Sequence, residues 1–319
     1  MKEMGVRMLN RYLREYSNDA MKQISMSELS GKKVAIDISI FMYQYKGTNT
    51  LLESMTKMIM LFRDYRVVPI FVFDGTPPDE KMEVLNERDA TKKEAKEECR
   101  HLEDQLRQND LDTSEREKIE NLLSLEQKKC LRITNANIRD VKNLIKVLGV
   151  NYLEADGEAD DLCVYLVRKR MVWACMTEDM DMFVYGCQRV LRNFNLEKGT
   201  MTLYSMMDIL KNLKMTQNEF RDICLLSGTD YNRTKYTIYT GMSMFYKYMK
   251  KRRSNVSFYD WLVFTKNLNH DERQTLVEMR RMFLKDIYNL NEQFTNKRIL
   301  KDEIVDYMEK HNINYLVNV

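Results

Sequence analysis

The sequence predicts an α/β fold, a mostly parallel central sheet flanked by helices. Three observations carry that prediction. Short apolar segments read as buried strands, helical periodicity fills the intervals between them, and a long charged insertion interrupts the alternation without ending it.

The apolar runs, in chain order, are KKVAIDISI (32–40), VVPIFVFDG (67–75), VNYLEADG (150–157) and VWACMTEDMD (172–181). LLESMTKMIMLFRDY follows the first and NIRDVKNLIKVLG precedes the third, with apolar residues recurring every three or four positions, the spacing of an amphipathic helix. Parallel strands require such crossovers, and ligands of such sheets bind beyond the carboxyl ends of the strands.

Those carboxyl ends are acidic. The first strand runs into Asp37, the second into Asp74 and the fourth into Glu178, Asp179 and Asp181. After the third, EADGEADD sets Glu158, Asp160 and Asp161 in the first turn of an expected helix. A single strand-end aspartate ordinarily caps the next helix or turn. A convergent set is not explained that way, because crowded carboxylates repel one another and are costly to desolvate. The pattern predicts a cation at this edge.

From Asp79 to about Arg132 the chain is highly charged and sparsely apolar, and reads as two helices projecting from the domain. Ser114 and Glu117 have capping-box spacing, which predicts a helix start there. Lys81, Arg88, Lys92 and Lys96 share one helical face just after Asp74, a basic stripe suited to phosphate. The acidic outer faces read as solvated. From about Asn218 the pattern is helical and holds LLSGTDY, the basic run KYMKKRRS (247–254) and KDEIVDYMEKHNIN. KKRR fits a nucleic-acid contact, a solvated helix end or a nuclear localisation signal.

Composition narrows the class. With 319 residues, 44% hydrophobic and 31% charged, the chain has the balance of a soluble globular protein and enough length for a large core. A net charge of +3 selects no partner. Six cysteines without a CxxC pair and three scattered histidines give no spacing support for a zinc site or a disulfide framework. A reducing, intracellular location, nuclear or cytoplasmic, is expected. No apolar run approaches the roughly 18 residues of a membrane span, and MKEMGVRMLNRYLREYS has no apolar signal core. The 24 methionines read as adaptable core filler.

Taken in order, VAIDISIFMYQY, VFDGTPPDEKMEVLNER, YLEADGEADDL, TEDMD and LLSGTDY resemble the flap endonuclease family of structure-specific 5′ nucleases, of Rad2/XPG type. The likeness spans roughly residues 4–250, with a weaker match at DEIVDYM. It implies a PIN-like 5′ nuclease core at 1–217 with a helical arch at about 79–132. A C-terminal helical region at 218–319 would carry a divergent helix-three-turn-helix element.

The resemblance also implies roles. Asp37, Asp74, Glu158, Asp160, Asp179, Asp181 and Asp230 fall on the family's metal-binding carboxylates. Asp161 is an added candidate, because EADD is similar to the 5′ nuclease domains of bacterial DNA polymerases. Lys81 and Arg88 match the basic pair at the base of the arch, and Tyr43 the aromatic residue on which a base stacks. The implied cofactor is Mg²⁺, as two ions, with Mn²⁺ able to substitute. Mg²⁺ prefers oxygen ligands and keeps several waters, so seven or eight acids suit two ions. The implied substrate is branched or flapped DNA, hydrolysed at a 5′ flap or single-strand/duplex junction in replication, repair or recombination. RNA is not separated from DNA by this chemistry. Glu178 is left without a role.

The chain also departs from the family. Relatives carry a glycine-containing hairpin after the last catalytic aspartate that binds duplex phosphates, whereas NRTKYTIYTGMSMFYKY keeps only Gly241 nearby. Lys247, Lys250, Lys251, Arg252 and Arg253 are the compensating candidates, and Lys92 and Lys96 the contacts expected from the arch. MKE precedes the Met4-Gly5 at which the family usually begins, and an enlarged arch is expected between Asp74 and Glu158. YLVNV offers no QxxLxxFF-type clamp-binding peptide, so coupling to a sliding clamp is not expected; a monomer is expected as well. A 5′ to 3′ exonuclease of the same family would use the same acids. An inactive junction-binding scaffold is the alternative of another class, and the complete acidic set argues against it.

Overall fold

The computed structural model describes residues 5–77, 81–107, 112–232, 234–251, 256–284, 288–299 and 301–313, except the side chains at 83, 85, 88 and 301. The chain begins with α1 (Leu9–Tyr16), β1 (Met21–Ser25), β2 (Lys33–Asp37), α2 (Ile38–Gly47), α3 (Leu51–Asp64) and β3 (Val68–Phe73). A helical hairpin follows, α4 (Met82–Leu106) packed on α5 (Thr113–Lys129). Next come α6 (Asn135–Val147), β4 (Asn151–Glu154), α7 (Ala159–Arg168), β5 (Ala174–Met176), α8 (Asp181–Tyr185), β6 (Arg189–Asn195) and β7 (Thr200–Ser205). The remainder is helical: α9 (Met206–Leu213), α10 (Gln217–Ser227), α11 (Ile238–Lys251), α12 (Phe258–Phe264), α13 (His270–Met282) and α14 (Lys301–Lys310).

Among the described residues one sheet runs in the order β1-β7-β6-β5-β2-β3-β4. The pairs from β4 to β6 are parallel, and β7 and β1 extend the sheet antiparallel. Both faces are covered, which is why the central strands read as continuous apolar runs. Ala35, Ile70 and Val72 face a core shared with α1, α7, α8 and α10–α13, while Val34, Ile36, Phe71 and Phe73 face α2, α3, α6 and α14. The strand period of two thus divides one apolar run between two cores.

The sequence reading anticipates β2, β3, β4 and β5 and misses β1, β6 and β7. Those three form the antiparallel wing, where half-exposed strands such as MKQIS carry too few apolar residues to stand out. The first strand ends at Asp37, its expected exit, where the carboxylate accepts the Ser39 N–H at 3.1 Å and caps α2. One expected boundary does move. The second arch helix starts at Thr113, ahead of the expected Ser114. Its capping box is Asp112 with Glu115, whose N–H donates to Asp112 Oδ1 at 2.7 Å.

Gly241 lies at the contact of α11 with α10, where a Cβ would stand 2.8 Å from Ser227 Oγ. Its place is a helix crossing. Among the described residues no helix is long and apolar enough to cross a membrane.

Candidate active site

Parallel β2, β3 and β5 end at one edge of the sheet, and each exit is fixed locally. Asp37 closes β2 and is 6% exposed; one oxygen caps α2 and the other accepts the Thr177 hydroxyl at 2.9 Å. Asp74 follows β3, with Oδ2 accepting from Ser39 Oγ at 2.5 Å and Oδ1 from the Ala159 N–H at 2.9 Å. That second bond sets the first turn of α7 against the end of β3. Gly75 makes the approach possible, since a Cβ there would fall 2.0 Å from the Ala155 carbonyl oxygen. Glu158 and Asp160 are thereby brought beside Asp74.

TEDMD turns directly after β5. Thr177 Oγ1 accepts the Asp179 N–H at 3.2 Å, and Asp179 Oδ1 accepts the Asp181 N–H at 2.7 Å, so the loop winds back and exposes neither acid. Asp179 and Asp181 are 3% and 2% exposed. Glu178 points the other way. Its Oε1 accepts the Asn193 N–H at 2.5 Å and its Oε2 lies 3.4 Å from the buried Arg192 guanidinium, which also donates to the Glu178 carbonyl at 2.8 Å. Glu178 therefore braces the loop against β6. From the far side Gly5 closes on the loop at φ +73°, where a Cβ would stand 2.4 Å from Asp179 Oδ1 and 2.5 Å from Asp181 Oδ1.

The acids act on one another strongly. Burial, then Asp74 and Asp179, push the Asp37 carboxyl up to about 7. Burial and Asp230 push Asp179 up to about 6, against the Asp181 N–H bond that lowers it. Burial also raises Asp160 and Asp181 well above the ordinary aspartate value, each helped by Asp179. Asp160 Oδ1 and Asp181 Oδ1 are buried and accept no hydrogen bond among the described residues. Two orphaned carboxylate oxygens within a ring of like charges are what a bound cation relieves. The donor set is all oxygen, which fits a hard divalent ion. Among the described residues no three such side chains close around one point, an arrangement compatible with an ion that keeps much of its water shell.

One cation from the protein already enters the ring. Lys81, 9% exposed and immediately before α4, pairs with Glu158. Burial alone would lower its ammonium, but Glu158, Asp160 and Asp230 outweigh burial and hold it protonated. Glu158 also accepts the Tyr231 hydroxyl, and Tyr231 in turn meets the Tyr185 hydroxyl at 3.2 Å. Burial first, and these neighbours next, keep the Tyr231 phenol protonated across the working range of pH. Tyr185 shares a hydrogen bond with Asp161, which lies on α7 next to Asp160.

Other sequence candidates lie further out. Tyr43, 43% exposed, lines a cavity of about 480 Å³ together with Ser39, Asp74, Ile138, Arg139 and Lys142. Lys92 lies 3.6 Å from Asp89, and Lys96 is exposed on α4. Lys247, Lys250 and Lys251 are exposed on α11. The Arg88 side chain and residues Arg252 and Arg253 lie outside the described residues, as does YLVNV. Sequence reasoning passed over Ser39, Thr177, Arg192 and Tyr231. Thr177 and Tyr231 sit inside quoted motifs, where a hydroxyl beside an acid is a readable signal, whereas nothing near Arg192 marks it.

Residues 4–95 match the XPG N-terminal domain and residues 149–230 the XPG I-region. The flap endonuclease 1 of Encephalitozoon cuniculi is 32% identical over 251 residues, covering 72% of this chain and 68% of that protein. That of Enterocytozoon bieneusi is 28% identical over 290 residues, covering 86% and 77%. Among solved structures, the catalytic core of Rad2 in complex with a DNA substrate aligns with a TM-score of 0.69 at 17% identity, covering 96% of this chain and 94% of that one. Flap endonuclease-1 from Methanococcus jannaschii aligns at 0.61 and 23% identity, covering 91% and 90%. The two structures share the fold.

Proposed function

This chain belongs to the Rad2/XPG-type flap endonuclease family of structure-specific 5′ nucleases, and from that premise we propose that it hydrolyses DNA at 5′ flap junctions with two Mg²⁺ ions. The observation that carries the assignment of ions is the pair of orphaned oxygens, Asp160 Oδ1 and Asp181 Oδ1, inside a ring of acids. Asp37, Asp74, Glu158, Asp160, Asp179, Asp181 and Asp230 would hold the ions, with Asp161 beside them on the same turn of α7. Bound Mg²⁺, or Mn²⁺ in its place, supplies Lewis acidity that lowers the pKa of water and offsets charge on the phosphodiester.

The remaining work falls to the chain's own groups. Lys81 is fixed against Glu158 and kept protonated, so it meets negative charge growing on the phosphate oxygens without rearranging. Arg88 is the second cation of that pair. Tyr43 stacks an unpaired base at the mouth of its cavity, where Arg139 offers positive charge to the adjoining phosphate and Lys142 is paired with Glu154 at 2.8 Å. No imidazole serves as a base, since His101 is on α4, His270 opens α13 and His311 follows α14. Lys92 and Lys96 on the arch, with Lys247, Lys250, Lys251, Arg252 and Arg253, contact phosphates of the flap and duplex.

The test compares wild type and Asp181→Ala on labelled 5′ flap, 3′ flap, nicked, blunt duplex and single-stranded DNA, with Mg²⁺ or EDTA. Cutting confined to the 5′ flap junction, dependent on Mg²⁺ and lost in the variant, is expected. Stepwise shortening from recessed 5′ ends would replace this reading by the exonuclease, and binding without cutting by the scaffold.

A further inference from the structure

Away from the acidic edge, two sulfurs face each other across the arch. Cys99 lies on the face of α4 that also buries Ala95 and Leu102, and Cys130 follows the last residue of α5. Their Sγ atoms are 4.0 Å apart, and Cys130 Sγ also points at the Lys92 carbonyl, 3.9 Å away. The other cysteines, Cys163, Cys175, Cys187 and Cys224, are at most 1% exposed. Cys130 is only partly buried, which makes it the more accessible residue of the pair.

We propose that Cys99 and Cys130 form a redox modification site, which a peroxide converts into a disulfide that staples α4 to the point where the arch rejoins the domain. In the first step the Cys130 sulfur attacks the peroxide O–O bond, becoming a sulfenic acid and releasing one water. The Cys99 sulfur then attacks the Cys130 sulfur, the S–O bond breaks and a second water leaves. Two thiols and one hydrogen peroxide thus give one disulfide and two waters. The sulfurs must close from 4.0 Å to about 2.05 Å, a movement on the scale of side-chain rotation.

The location gives the bond a consequence. Leu131, next to Cys130, packs on the end of α2, with its Cδ1 3.2 Å from where a Gly47 Cβ would stand. Cys130 therefore sits where the hairpin meets the core, and the bond limits how far α4 moves from α2. Burial, Cys130, Glu103 and Glu126 together push the Cys99 thiol up to about 11, which slows attack by that sulfur.

The experiment treats the full chain and the variants Cys99→Ser and Cys130→Ser with hydrogen peroxide. Remaining thiols are then alkylated, followed by intact mass measurement and non-reducing tryptic mapping. The expected result is a wild-type protein that carries four alkyl groups where the untreated protein carries six, with the peptides holding Cys99 and Cys130 joined and released by dithiothreitol, and neither variant so changed. Trypsin nicks within 100–129 then leave fragments that separate only on reduction. Six thiols still alkylated, oxygen added to Cys130 without linkage, or linkage through any other cysteine overturns the proposal. Either variant that folds suffices for the control.

Discussion

The backbone N–H of Asp230 donates to Asp181 Oδ2 at 3.3 Å, tying the loop after α10 to the head of α8. The other oxygen of the same carboxylate, Oδ1, is buried and accepts no hydrogen bond among the described residues. One side chain is thus half satisfied by the protein and half left for a cation. Stability and chemistry can be separated at this residue.

Asp181→Asn keeps an acceptor for the Asp230 N–H and removes one buried charge. In EDTA the variant is expected to be the more stable protein, by about 1–3 kcal/mol, because the uncompensated oxygen is neutralised. Millimolar Mg²⁺ should raise the thermal midpoint of wild type by mass action and that of the variant much less. Differential scanning fluorimetry reads both. A wild-type shift no larger than the variant's would mean that the acids do not hold an ion together.

The apo protein should lose stability as pH rises. Asp37 is pushed up to about 7 and Asp179 to about 6, both above the ordinary aspartate value, so the folded state binds more protons than the unfolded chain between about pH 4 and 7. Stability therefore falls through that window and levels off above the folded values, with Asp160 and Asp181 acting in the same direction. Midpoints in EDTA should drop by several degrees from pH 5 to pH 8. Saturating Mg²⁺ should flatten or reverse the slope, because the ion requires the deprotonated acids. A rising apo profile would contradict the crowding.

Gly5→Ala tests whether the placement of the acids matters beyond their presence. The new Cβ would meet Asp179 Oδ1 at 2.4 Å and Asp181 Oδ1 at 2.5 Å, on a backbone whose φ of +73° already disfavours a side chain. The acids must move, and kcat on a 5′ flap should fall on the order of 10²-fold while the fold loses only about 1–3 kcal/mol. Steady-state kinetics alongside thermal melting separates the two effects. Unchanged kcat would show that the loop tolerates the displacement.

The parts of this molecule that repeat a period were legible in its sequence. Val34 to Ile36 and Ile70 to Phe73 announce β2 and β3 because parallel strands are buried on both faces, and the acids that end them mark the edge where a ligand sits. What escaped depends on contacts distant in the chain. Arg192 looks like any strand charge until it is found under the TEDMD turn, donating to the Glu178 carbonyl. Glu178, adjacent to two site acids, turns away to brace β6. The strands β1, β6 and β7 were missed for a related reason: an antiparallel wing with one wet face writes a weak pattern, and pairings such as Ile24 with Met201 leave no trace in either segment alone.

Tyr231 offers a last test of how the site is held, because its hydroxyl can be removed while the ring that Lys81 Nζ overlies, 5.4 Å from the centroid, stays in place. Its hydroxyl donates to the same carboxylate that pairs with Lys81. Tyr231→Phe leaves the ring and its edge contact with Phe283 in place while removing one donor, so a loss of about 1–2 kcal/mol in stability is expected. Glu158 then swings between Lys81 and solvent, and kcat should fall about tenfold with KM little changed. Lys81→Met removes the cation itself, and about 10²–10³ in kcat is expected. If both act through Glu158, the double variant loses less than the product of the two single losses. Fully multiplicative losses would mean that Tyr231 serves some partner other than Glu158, and an isosteric Glu158→Gln background, in which the Tyr231→Phe effect should vanish, decides between the two.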